Sequence, residues 1–224
     1  DTLKAAVGVA SVLAAAGKSE AAEAAHRDAI RRHEESVGLG DATTLELTYN
    51  LAAYLANAGQ VEKAEDIFRE ALLKCEQQFG LDSAPALSYV DDLAILLETE
   101  GRAAEAEHFF RRALSSRQRV LGSEHEDTLR SAGNLAVFLD NESQFDEALS
   151  LYQHVLAGRT KVLGENDPKT LDTRYNMAVL LADCGRRTEA VQIFELVLRG
   201  LENQMEVSDE RVLACMEKLA ETYK

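Results

Sequence analysis

Leucine recurs at Leu3, Leu45, Leu87, Leu129, Leu171 and Leu213, each 42 residues after the one before. A wider frame returns with it. Residues 167–190 carry the frame most fully, with Thr170, Leu171, Asn176, Ala178, Leu181, Gly185, Glu189 and Ala190. One period earlier stand Thr128, Leu129, Asn134, Ala136, Leu139, Glu147 and Ala148, and before them Leu87, Ala94, Leu97, Gly101, Glu105 and Ala106. Thr44, Leu45, Asn50, Ala52, Leu55, Gly59 and Ala64 form another copy, and Thr2, Leu3, Ala10, Leu13, Gly17 and Ala22 the first. A period this strict leaves few folds open. Each unit can bury its apolar face only against the next, so the chain has to stack.

Each period divides into two helical segments. Residues 44–58 place Leu45, Thr48, Leu51, Ala52 and Leu55 on one face at helical spacing. Residues 61–79 do the same with Val61, Ala64, Ile67, Phe68, Ala71, Leu72 and Phe79. Glycine follows each segment, able to take the left-handed backbone that ends a helix. Gly17, Gly59, Gly101 and Gly185 separate paired helices, and Gly38, Gly80, Gly122 and Gly164 close the pairs. Ser143 replaces the turn glycine once, beside Asn141, which tolerates the same geometry. Glu206 takes the closing place in the fifth copy and predicts a less regular end there. Asp41, Ser83, Asp167 and Asp209 precede the first helix of their pairs and suit N-caps. Ala10, Ala52, Ala94, Ala136, Ala178 and Ala220 share one place of close approach, and Ala22, Ala64, Ala106, Ala148 and Ala190 another. Phe68, Phe110, Tyr152 and Phe194 share a large-residue place, filled by His26 in the first copy. The expected organisation is all-α: one solenoid over residues 1–224, with helix-turn-helix repeats at 1–40, 41–82, 83–124, 125–166 and 167–208 and a terminal helix at 209–224.

The alternation of leucine and alanine on one helix, then alanine, aromatic and alanine on the next, is the tetratricopeptide order. The usual unit has 34 residues; here it is longer. The residues resemble the kinesin light chain type of repeat: Thr44 and Leu45 with Asn50, Leu51, Ala52, Gly59, Ala64 and Glu65; Ala113 and Leu114 before Val120, Leu121 and Gly122; Val155 and Leu156 before Val162, Leu163, Gly164, Asp167 and Pro168. That resemblance implies a right-handed α-α superhelix of five repeats plus one helix. It implies first helices that line a concave groove for extended peptides, including tryptophan-plus-acidic cargo motifs. Transport in that family also needs a heptad region, and no sustained heptad occurs here. The resemblance therefore implies a protein-binding scaffold.

Composition narrows the partners. The formal net charge of −15 repels phosphate backbones, so nucleic acid is not expected as a partner. Basic protein surfaces are attracted, although solubility alone also accounts for acidic helices. Cys75, Cys184 and Cys215 are widely spaced and form no CxxC, which speaks against a disulfide framework or zinc site and for a reducing, cytoplasmic setting. Residues 5–16 resemble the apolar part of a signal peptide, but they lack a basic leader beyond Lys4 and fall within the repeat frame, which makes them the first helix. No run approaches the roughly 20 apolar residues of a membrane span, so no membrane partner is expected. Because the chain starts at a repeat boundary without methionine, it reads as a piece of something longer. His26, His33, His108, His125 and His154 occupy different repeat places, and no HExxH, phosphate-binding glycine loop or G-x-S-x-G accompanies them. Neither an enzyme nor a cofactor is expected. His26 is read as a packing residue, and His108, His125 and His154 as facing solvent.

The candidate site lies on first-helix places that the leucine–alanine seam leaves free. Asn50, Asn134 and Asn176 share one such place with Gly8, Asp92 and Lys218. An amide donates and accepts, so a row of them can pair with a peptide backbone whatever its side chains; the family uses matching asparagines in this way. The same amides can instead bridge neighbouring first helices, and both uses stay open. Tyr49 and Tyr175, one place earlier, are anchors with a polar tip or packing residues. Arg130 and Asp172 lie three places before those. The Arg130 fork suits a carboxylate, or a surface pair with an acid such as Asp172. On this face Glu46, Asp91, Asp92, Asp172, Asp183 and Glu217 outnumber Lys4, Arg130 and Lys218, so a peptide of basic or mixed charge is expected. The alternative is a structural or oligomerisation segment that self-associates through its terminal helices, residues 2–16 and 210–224.

Overall fold

The computed structural model describes residues 8, 13, 19–38, 41–202 and 210–223. Among them there is helix and no strand. Ten helices have bounds within this set: α1 (Ser19–Val37), α2 (Ala42–Asn57), α3 (Val61–Phe79), α4 (Ala84–Thr99), α5 (Ala103–Leu121), α6 (Glu126–Asn141), α7 (Phe145–Leu163), α8 (Pro168–Asp183), α9 (Arg187–Glu202) and α10 (Glu210–Thr222). The sequence period is thus a period of structure. The first helices α2, α4, α6, α8 and α10 each start 42 residues apart, and so do the second helices α1, α3, α5, α7 and α9. Of the expected first helix at residues 2–16, only Gly8 and Leu13 are described, and both are helical; the Glu206 end and the Asp209 cap lie outside the described residues.

Caps explain the starts. Asp41 accepts a hydrogen bond from the Thr43 amide at 2.9 Å, and Asp167 one from Lys169 at 2.9 Å. Ser83 accepts from Ala86 at 3.4 Å. In the copy between, His125 does the work: its Nδ1 accepts from the Asp127 amide at 3.2 Å. At the turn after α6, Ser143 itself adopts the left-handed backbone, with φ of 60°, while Asn141 remains the last helical residue. The glycines at the same place need no such strain.

Two compact units are present, residues 1–113 and 114–224. In the first, α1 packs on α2, α2 on α3 and α3 on α4, and the first helices α2 and α4 also touch. In the second, α6 through α10 pack in series, with α6 against α8 and α8 against α10. Both are all-α repeat stacks. The shared places behave as the frame requires. Ala52, Ala94, Ala136 and Ala178 are fully buried, as are Ala22, Ala64, Ala106, Ala148 and Ala190; so are Phe68, Phe110, Tyr152 and Phe194, with His26 buried in the same place. Leu87, Leu129 and Leu171 are buried, but Leu45 is half-buried and Leu213 exposed, since no second helix follows α10 among the described residues. Two glycines mark the tightest approach. A Cβ on Gly158 would meet the Leu129 side chain at 2.8 Å, and one on Gly200 that of Leu171 at 2.6 Å.

A further joint, made at two successive places, binds a second helix to the next first helix. Arg117 is 3% exposed and donates to the Ser131 hydroxyl. One period on, Arg159 donates to the Thr173 hydroxyl at 2.9 Å and the Lys169 carbonyl at 3.3 Å. A buried guanidinium needs such partners to offset its lost hydration. One period further, Leu201 and Cys215 stand in the two places.

Candidate functional site

Every proposed site residue lies on a first helix. In the unit of residues 1–113, Tyr49 is 49% exposed and its ring lies 6.4 Å from that of Phe68. Tyr49 and Asp92 line one shallow cavity of about 110 Å³ between α2 and α4, with Ala53 and Ile95 beside them and Phe68 as its floor. Asn50, half-exposed, sits one residue along from Tyr49.

In the unit of residues 114–224, Asn134 and Asn176 are likewise half-exposed. Among the described residues none of Asn50, Asn134 and Asn176 hydrogen-bonds through its side chain, so the bridging use of these amides is not seen there. Arg130 and Asp172 are not brought together. Arg130 pairs at 3.2 Å with Asp127, one turn earlier on its own helix, because that i,i+3 partner is within easier reach. Asp172 is taken by Arg211 of α10. Tyr175 packs edge-on against Phe194 with ring centres 5.7 Å apart, and burial pushes its hydroxyl above the usual tyrosine range. A cavity of about 160 Å³ between α8 and α10 holds the same place in the frame as the one at Tyr49, again over an aromatic, here Phe194. Its walls are Val179, Asp183, Lys218 and Glu221, so it is charged where the other is apolar. Burial, and after it the neighbouring Asp183, raise the Asp140 carboxyl above its ordinary value.

Sequence reasoning passed over three residues. Ile95 and Val137 are apolar yet 45% and 38% exposed on first helices, at the place three after the asparagines. They were legible as apolar residues outside the seam. Arg211 had no such signal, since its place in the frame changes chemistry from copy to copy.

His26 is buried against Tyr54, with ring centres 5.9 Å apart, and burial lowers its pKa. His108, His125 and His154 are exposed. Among the described residues no group of three His, Cys, Asp or Glu side chains is placed to hold a metal ion, and no helix is long and apolar enough to cross a membrane.

Family models described as tetratricopeptide repeat match residues 2–42, 42–116, 82–140 and 134–203. The chain belongs to the tetratricopeptide repeat family. Solved structures of similar fold to this tetratricopeptide protein include repeats described as kinesin light chain. BtubC (BKLC) from P. vanneervenii matches with a TM-score of 0.80 and 21% identity, over 100% of this chain and 84% of that one. A Podosopora anserina protein described as a kinesin light chain with nearly identical TPR-like repeats matches at 0.69 and 20%, over 92% and 97%. MamA from Desulfovibrio magneticus is more distant, at 0.57 and 15% over 91% and 97%. These likenesses concern the fold. No curated protein matches the tetratricopeptide chain in sequence. Tetratricopeptide repeats serve generally as protein–protein interaction scaffolds, typically without catalysis of their own.

Proposed function

We propose that this tetratricopeptide chain holds an extended peptide of a partner protein against the exposed face of its first helices. Asn50, Asn134 and Asn176 pair with the peptide backbone, and Tyr49 and Tyr175 supply contact area. Arg130, Asp92 and Asp172 set the charge preference, for a peptide of basic or mixed sign. The observation that carries this reading is the state of the asparagines: three half-exposed amides at one repeat place, with no internal partner among the described residues. Unused donors and acceptors recurring at one repeat place suit a peptide main chain, which presents both. A cytoplasmic setting agrees with three free cysteines.

The test is selection of peptides from a random displayed library, followed by affinity measurement against the wild type and N134A/N176A. The double variant should bind at least tenfold more weakly at an unchanged thermal midpoint. Equal affinities would sink the reading. Self-association keeps an observation of its own, because Leu213 and Met216 of α10 are 46% and 42% exposed. Light scattering across concentration separates the two: mass that stays that of one chain removes it.

A further inference from the structure

An arginine fills the joint between a second helix and the next first helix at α5–α6 and α7–α8, while His33, Cys75 and Leu201 stand in its place at the other three. Arg159 spans the joint of α7 and α8 with its guanidinium, reaching Thr173 and the Lys169 carbonyl. In the next joint Leu201 has neither the length nor the donors to do so, and Cys215 turns instead to the Phe194 carbonyl at 3.6 Å. A cavity of about 190 Å³ lies there, between α8, α9 and α10. Its walls are Leu171, Val197 and Leu201, all buried, with Ala214. Tyr175 and the Asp172–Arg211 ion pair stand at its rim. The hydroxyl of Tyr175 has no hydrogen-bond partner among the described residues.

We propose that this cavity receives one uncharged, phenylalanine-sized side chain of the bound partner peptide. This rests on the groove reading and names an anchor for it. The walls are apolar, so a charged or amide-bearing group would enter unsatisfied. The two rim charges neutralise each other and leave no net sign to attract an ion. An apolar cavity of about 150 Å³ is enough for a benzene ring, so one of this size takes a phenyl group with little strain. Tyr175 lies next to Asn176 in sequence. The phenol donates to a peptide carbonyl at the rim, and a ring seated behind it gains apolar contact and excludes water, as anchor residues do.

The probe is N-acetyl-phenylalaninamide, titrated into the full chain and read by methyl NMR at Leu171 and Val197. Saturable shifts in the millimolar range are expected, with N-acetyl-lysinamide and N-acetyl-glutamate amide silent. L201R places there the arginine of the α5–α6 and α7–α8 joints, and A214F fills the space from α10. Each should weaken the response at least tenfold, and A214F serves if L201R does not fold. No shift in the wild type, or equal shifts with the lysine probe, overturns the proposal. The groove reading is scored separately by library peptides. Peptides that need Asn134 and Asn176 but bind A214F as well as wild type leave the groove standing and remove this anchor.

Discussion

Single residues carry most of the local predictions. Ser143 holds a left-handed backbone that its described counterparts Gly59, Gly101 and Gly185 reach freely. S143G should raise stability by about 1 kcal/mol, the strain relieved less the glycine's greater freedom when unfolded; urea melts will check it. The turn was legible, since the frame called for a glycine there, but the residue that bends was not, because Asn141 suits the geometry better by type. His26 gives a pH prediction. Its folded pKa lies below the ordinary histidine value, so the unfolded chain binds more protons as pH falls through about 6.5. Stability is full above that pH and is lost below it. H26F, matching the phenylalanines of later copies, should remove this part of the loss between pH 7.5 and 5 in urea melts. Among the thiols, Cys75 and Cys215 are buried and pushed up to about 11, while Cys184 is exposed. Labelling of the native chain with a thiol reagent should show one fast cysteine of three.

At the scale of elements, helix number, order and starts follow from the period alone, because each place repeats a packing demand. The joints did not show in the same way. Their residues change type from copy to copy: Arg117 with Ser131, Arg159 with Thr173, Leu201 with Cys215. Arginine with a hydroxyl partner recurs at only the first two of these, and a frame built on single places does not show such a pairing. R117A should cost about 2–3 kcal/mol, from lost packing and an orphaned Ser131 hydroxyl. R130A, whose pair with Asp127 is exposed, should cost under about 0.5 kcal/mol. His125 was missed as a cap for a related reason: capping was sought by residue type, and histidine rarely fills that role.

For the whole molecule, net charge sets the terms on which partners arrive. A chain of −15 draws basic peptides over long range and loses that attraction in salt. Peptides selected by the wild type should carry net positive or balanced charge, and their affinity should fall several-fold between 50 and 500 mM salt, with the loss in the association rate; these concentrations bracket the screening length. Anionic peptides that bind as tightly would contradict the charge preference. The sequence showed which face is free but not where its hollows lie, because a cavity depends on what two or three helices leave unfilled.

The buried arginine joint also makes the modules interchangeable in part. Excising residues 125–166 in frame would bring Arg117 opposite Thr173, a hydroxyl partner of the kind it now has. Excising residues 167–208 would bring Arg159 opposite Cys215, a thiol that accepts hydrogen bonds poorly. The first shortened chain should fold with a seam as sound as the original, and the second with a mismatched one, so the joints mark where natural or engineered gain and loss of copies can occur without repair.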